Sequence, residues 1–267
     1  MATTICMINQ KGGCGKSSTC FHLAGAFAAS GLKVLLVDND PQGSLSQGFF
    51  GSSIVEELAA ERTLAAAFSD LAIAPPSIIA ATGLNGIDIC PANHLLGKYN
   101  TPCPEETGME QFAFRQFLDE MIDFDIVLID CPPNLYRCSW TAMIACDFVI
   151  IPVPPEDFGT QGLRSVHQAV ENARLLSPSL RLLGHLVTRS DRRLLVHRAY
   201  ESKLRTLYGD AVFSTVIPEA SAFKVSLACR LPVELHNAKS RSADLTRQLS
   251  REILDRIAVK NKQRDVA

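Results

Sequence analysis

The stretch INQKGGCGKSST at residues 8–19 constrains this chain more than any other. It follows a short apolar, β-rich run, TTICMI (3–8), and leads into KSSTCFHLAGAFAASG. That segment reads as a helix with Phe21, Leu23, Ala24, Phe27 and Ala28 facing inward and Gly31 as its stop. KVLLVDND (33–40) reads as a strand buried on both faces, because its apolar residues are consecutive rather than alternating. Strand, glycine loop, helix and strand in about forty residues make a βαβ unit.

A glycine loop between strand and helix cradles phosphate, because consecutive backbone N–H groups and a helix N-terminus converge on one anion. The usual phosphate loop reads G-x-x-x-x-G-K-[ST], and here Gly15-Lys16-Ser17 supplies its end while Gln10 replaces the first glycine. Gly12, Gly13, Cys14, Gly15, Lys16, Ser17 and Ser18 are therefore the candidate phosphate-binding residues. Lys16 is expected to reach the β- and γ-phosphates, and the Ser17 hydroxyl to ligate Mg²⁺. Two acidic strand ends accompany the loop: VLLVDNDPQG, with Asp38 and Asp40, and IVLIDCPP, with Asp130. Asp130 fits a carboxylate beside the metal, and Asp40 one that orients an attacking water. A second lysine, Lys11, stands on the other shoulder of the loop, where one nucleotide has no evident need of it.

Further strands are expected at 125–130, 147–153 and 180–188, with a last one at 211–218. Helices are expected at about 56–68, 108–122, 159–176, 192–208 and 241–259, and loops at 74–76 and 97–104. The alternation implies an α/β fold: a single-domain, doubly wound, mostly parallel sheet flanked by helices, with ligands at the carboxyl ends of its strands. No repeat or linker divides residues 1–267. No apolar run reaches a membrane-spanning length and no signal peptide is evident, so a cytoplasmic protein is expected. Nine scattered cysteines with no C-x-x-C pair read as reduced, mostly buried thiols. The net charge of −2 conceals an asymmetry. Residues 1–180 hold nine Lys and Arg against nineteen Asp and Glu, whereas 181–267 hold seventeen against nine. The basic final third is either a set of solvated helix faces or a polyanion-binding surface.

The segments NQKGGCGKSST, VLLVDNDPQGSLSQ, DFDIVLIDCPP, DFVIIPVPPEDFGTQGL and VIP occur in that order along nearly the whole chain. Together they resemble the ParA/MinD family of deviant Walker A ATPases, specifically the ParA (Soj-like) partition ATPases. The resemblance implies ATP and Mg²⁺ as ligands and an ATP-dependent homodimer in which Lys11 of each copy reaches the phosphates held by the other. A cation supplied in trans stabilises charge developing in the transition state, as an arginine finger does. The resemblance also assigns Asp40 to positioning of the hydrolytic water, Asp130 to the metal and Asp38 to the metal through water. It places the adenine by Thr188, Pro218 and Glu219, largely through backbone.

ParA-like proteins bind DNA non-specifically, which turns the charge asymmetry toward function. Arg193 in TRSDRRLL matches a family arginine used for DNA contact, with Arg189 and Arg192 flanking it. A second family arginine falls on Ala222, and Lys224 is the candidate replacement. Lys239 and Arg241 join them by charge and position. Such phosphate contacts give affinity without reading sequence. A ParB-type partner, a nucleoid location and no membrane attachment are also implied. Three departures stand out: Cys14 and Ser17 in the loop, and Arg230-Leu231 where Gly-Lys is common before Pro-Val. Cys14, between two lysines, is a candidate oxidant-sensitive thiol, though an inert packing role is the stronger expectation.

Rival readings are a MinD-type membrane-cycling protein, an iron–sulfur reductase and a sequence-specific repressor. Leu249, Ile253, Leu254 and Ile257 form one stripe suited to packing on the domain, and the tail beyond Val259 has no bulky apolar residue to insert in lipid. No set of cysteines is arranged for a cluster, and strand one starts too early for a preceding helix-turn-helix. The cargo stays open among plasmid, chromosome and protein assembly. Residues 51–123 are the least legible part.

Overall fold

The consecutive apolar runs become strands whose two faces feed two different cores. In β1 (Thr3–Met7), Cys6 belongs to the same core as Leu35 and Val37, while Ile5 and Met7 belong to the core that holds Val34 and Leu36 on the other face. Such double burial demands helices on both faces, and the chain supplies them. The computed structural model describes residues 2–69, 77–155 and 160–265.

After β1 come α1 (Lys16–Ala29), β2 (Val34–Asp38), α2 (Ser44–Phe50), α3 (Ser52–Glu56), β3 (Ala80–Leu84) and β4 (Ile87–Cys90). The middle of the chain holds α4 (Ala113–Asp119), β5 (Ile126–Asp130), α5 (Arg137–Ala145), β6 (Phe148–Val153) and α6 (Thr160–Leu176). The last part holds β7 (Arg181–Val187), α7 (Leu195–Tyr208), α8 (Ser221–Ala228), α9 (Val233–His236) and α10 (Arg241–Asp265). The seven strands run in the order β3-β4-β2-β5-β1-β6-β7, all neighbours parallel except β3 and β4. α1 and α10 cover one face through Phe21, Phe27, Leu249, Ile253 and Ile257. α4, α5, α6 and α7 cover the other through Phe114, Trp140, Val166 and Tyr200.

The basic final third is part of this core: β7 pairs with β6, and the apolar stripe of α10 is buried as its spacing predicts. All nine cysteines are free thiols, and only Cys103 and Cys229 are exposed. No helix among the described residues is long and apolar enough to cross a membrane.

Several elements differ from expectation. In place of one helix at 56–68, Glu56 ends α3 and two short 3₁₀ turns follow, Ala60–Arg62 and Leu64–Phe68, with Leu64 N–H turned aside to donate to Pro91 O (2.7 Å). The helix expected at 108–122 is only α4, preceded by a 3₁₀ stretch that Gly108 breaks with φ 59°. α7 begins three residues late, since Asp191 first closes a turn by accepting from Arg193 N–H (3.0 Å). Residues 211–218 make only isolated bridges beside β7, His185 to Val212 and Ser190 to Pro218. The N–H groups of Ser214 and Thr215 donate instead to the Glu252 carboxylate of α10, at 2.7 and 2.9 Å, and are lost to any ladder. The expected loop at 74–76 and residue 159 lie outside the described residues. The β3–β4 hairpin and α2, α3, α5, α8 and α9 carry no clear sequence period; α5, for instance, is buried on every side from Cys138 to Ala145.

α8 ends in a Schellman motif, with Leu231 N–H donating to Ser226 O (3.0 Å) and Arg230 N–H to Leu227 O (2.9 Å). The residue at its left-handed position is Arg230, at φ 56°. This explains why glycine suits the position. Here the guanidinium lies over Gly51, within 2.3 Å of where a β-carbon there would stand.

Candidate nucleotide site

The parallel strands β1, β2, β5 and β7 all point their carboxyl ends at one cavity of about 430 Å³. The loop after β1 forms its floor. Gly13 and Gly15 have φ of 69° and 91°, conformations that a β-carbon disfavours, so their glycines let the backbone coil before α1 begins at Lys16. Lys16 is buried, and its ammonium donates to Asn9 O (3.0 Å) and Lys11 O (3.2 Å). Asn9 in turn holds the loop to its surroundings: its amide donates to Pro152 O (2.6 Å) and its carbonyl accepts from Lys11 N–H (2.9 Å). Sequence reasoning missed Asn9, although it stands beside the loop. Gly12, Gly13, Cys14, Gly15, Ser17 and Ser18 all line the cavity with Lys16; Lys11 is not among the lining residues.

The acids follow from strand register. Asp38 and Asp130 are direct partners across the β2–β5 ladder, so both carboxyl groups emerge on one face. Neither oxygen of the fully buried Asp130 has a hydrogen-bond partner. Burial pushes its carboxyl well above the usual range and the neighbouring Asp38 charge adds to this, with the nearby Ser17 hydroxyl and Lys16 opposing. A buried carboxylate in that condition calls for a cation. Among the described residues no group of three or more His, Cys, Asp or Glu can hold a metal alone. That suits Mg²⁺, which takes one or two protein ligands and draws the rest from phosphate and water. Ser17 and Asp130 fit such an ion.

Asp38 is placed differently. Its Oδ2 accepts from Ser46 N–H (2.8 Å) and Ser46 Oγ (2.6 Å), and Ser46 Oγ accepts from Ala92 N–H (3.0 Å). Asp38 thus ties α2 to the sheet beside the metal position. Burial pushes it up to about 7, with the Ser46 bonds opposing and the Asp40 charge adding. Asp40 lines the cavity, accepts from Gln42 N–H (2.9 Å), and is raised by burial against the pull of Lys16.

Cys14 is buried, and that burial pushes its thiol up despite Lys16 at 3.8 Å. The thiolate is disfavoured, as an inert packing group requires.

The far end of the cavity comes from the turn after β7 and the segment before α8. Thr188 Oγ1 donates to Cys14 O (2.7 Å), and Pro218 and Glu219 line the cavity beside it. Arg189 and Lys224, read from sequence as DNA contacts, both sit here. Arg189 Nε donates to Glu219 (2.9 Å) and its Nη1 to Gly13 O (2.8 Å), and Lys224 Nζ pairs with Glu219 at 2.5 Å.

The other basic residues lie across the Pro218–Ala220 segment. Arg192, Arg193 and Arg241 line a second cavity of about 360 Å³ that shares Pro218, Glu219 and Ala220 with the first. Arg193 is bidentate to Asp191 yet its side chain is 90% exposed. Lys239 is exposed just ahead of α10.

Residues 2–181 match the AAA_31 family, described as an AAA domain. The chromosome partitioning protein ParA of Caulobacter vibrioides is 32% identical over 258 residues, covering 94% of each chain. The chain belongs to the ParA family. The chromosome-partitioning ATPase Soj of Thermus thermophilus is likewise 32% identical, over 95% of this chain and 96% of its own. A cobyrinic acid a,c-diamide synthase from Mycobacterium smegmatis, solved with a bound ATP analog and magnesium, superposes with a TM-score of 0.78 at 25% identity over 95% of both chains. ParA-family architecture therefore extends from the glycine loop to α10, and the fold is that of the P-loop NTPases.

Proposed function

We propose that the chain is a Mg²⁺-dependent ATPase that dimerises around ATP, binds DNA without sequence preference and moves plasmid or chromosomal DNA with a ParB-type partner. The observation that carries this reading is the division between two lysines on one loop: Lys16 lines its own cavity and Lys11 does not. We assign Lys11 to the phosphates of a neighbouring copy, as the family resemblance implies. Two such loops repel until a γ-phosphate lies between them, so association depends on ATP rather than ADP.

The loop N–H groups and Lys16 hold the phosphates in line, and Asp40 orients the attacking water. Ser17 and Asp130 would hold Mg²⁺, which would supply charge neutralisation at the phosphate oxygens. Turnover stays slow until the partner completes the site. Arg192, Arg193, Lys239 and Arg241 contact DNA phosphates on the adjoining face, which would give a nucleoid-associated cytoplasmic protein. Burial of the apolar stripe of α10 favours this over membrane cycling.

Sedimentation of the protein with Mg²⁺ and a non-hydrolysable ATP analog tests the reading. A dimer is expected with the analog and a monomer with ADP. A single copy at every concentration overturns it.

A further inference from the structure

We propose that Arg189 is a nucleotide-selecting residue, its guanidinium forming the surface on which the purine nucleoside rests. The inference depends on the ATP-binding reading above.

The phosphate-binding groups occupy one end of the 430 Å³ cavity. The remaining wall, with Thr188, Arg189, Pro218, Glu219, Phe223 and Lys224, faces whatever hangs from the phosphates. Arg189 is the one side chain in that wall that donates to both sides of the cavity, to Gly13 O on the loop and to Glu219 opposite. Its backbone sits at φ 53°, a left-handed conformation disfavoured for any residue with a β-carbon, which functional sites retain where a side chain must be re-aimed. The run Arg189-Ser190-Asp191-Arg192-Arg193 is accordingly divided: Arg189 enters the nucleotide cavity, and Arg192 and Arg193 line the other.

The two bonds from Nε and Nη1 lie in the guanidinium plane, so an aromatic base meets the face of the group. The side chain is 42% exposed and lines the cavity. Glu219 keeps the plane in place. It is gripped from the other side by Lys224, and the two cations hold its carboxyl below the usual range. A lysine at 189 would keep the charge and lose both the fork and the flat face.

The experiment titrates wild type, Arg189→Ala and Arg189→Lys with ATP and with inorganic tripolyphosphate, both in Mg²⁺, after thermal melts establish that each variant is folded. Both variants are expected to bind ATP about tenfold more weakly while tripolyphosphate affinity is unchanged. Equal losses for the two ligands mean that Arg189 acts only by holding the loop, and overturn the proposal. So does unchanged ATP affinity. At saturating ATP, Arg189→Ala is expected to keep the wild-type salt dependence of DNA binding. A slope reduced by about one, with ATP affinity intact, returns Arg189 to the DNA contacts and overturns the proposal. If wild type binds no ATP, the functional reading fails as well, which distinguishes that failure from this one.

Discussion

The two ends of the nucleotide cavity are built from different materials. The phosphate end is a continuous turn of backbone, coiled by Gly13 and Gly15 and closed by a lysine whose bonds go to carbonyls within seven residues. The opposite end is assembled from long charged side chains: Arg189 meets Glu219 thirty residues away and Gly13 at a distance of 176. Backbone groups are locally fixed and indifferent to salt. Exposed ion pairs are screened, individually weak and replaceable one residue at a time. The first end is fixed by the backbone, and the second by side chains that can be exchanged one at a time.

The largest expected effect lies at the phosphate end. Lys16→Ala removes the one ammonium in its floor and should weaken ATP by about a hundredfold in direct titration, with tripolyphosphate weakened alike. Parallel loss for both ligands is what sets this end apart from the other. Lys11→Ala should abolish ATP-dependent dimerisation in sedimentation while nucleotide affinity falls less than about threefold. A large loss of affinity would place Lys11 in its own site.

The acids set apart the ligand-free protein. Asp38 rises to about 7 in the folded state from an ordinary value near 4, so the folded protein binds the extra proton between those values. Its stabilising contribution is complete at low pH and lost as pH rises through about 7. Asp38→Asn keeps an acceptor for Ser46 N–H and has no charge to bury. Its melting temperature should exceed that of wild type by roughly 3 °C or more at pH 8 and by much less at pH 5. An equal offset at both pH values would mean that the carboxylate is not the source.

On the basic face, Arg193→Ala should weaken non-specific DNA binding severalfold and lower the salt slope by about one, because its exposed pair with Asp191 exchanges readily for a phosphate. The smallest effect belongs to Arg230→Gly. Relief of the left-handed backbone should outweigh the lost guanidinium contact and stabilise by less than about 1 kcal/mol in a urea melt.

What could be read from the sequence follows the same division. Glycine spacing, a lysine and hydroxyl at a helix start, and apolar runs ending in Asp38 and Asp130 are local signals, and each maps directly onto the structure. The positions of Arg189 and Lys224 could not be read so, because charge alone does not say which side of the Pro218–Ala220 segment a side chain takes. Asp38 was legible as an acid beside the loop, but its bonds to Ser46 depend on how α2 returns to the sheet. The failure of 211–218 to form a strand needed knowledge of Glu252, thirty-seven residues beyond Thr215.

That carboxylate has a wider reach. By capturing Ser214 and Thr215 it tethers the approach to Pro218 and Glu219 to a helix in the final tenth of the chain. The placement of Pro218 and Glu219 is thereby tied to the C-terminal helix, far along the polypeptide from the phosphate loop. A partner that draws Glu252 away would free the Ser214 and Thr215 N–H groups and loosen the approach to Pro218 and Glu219.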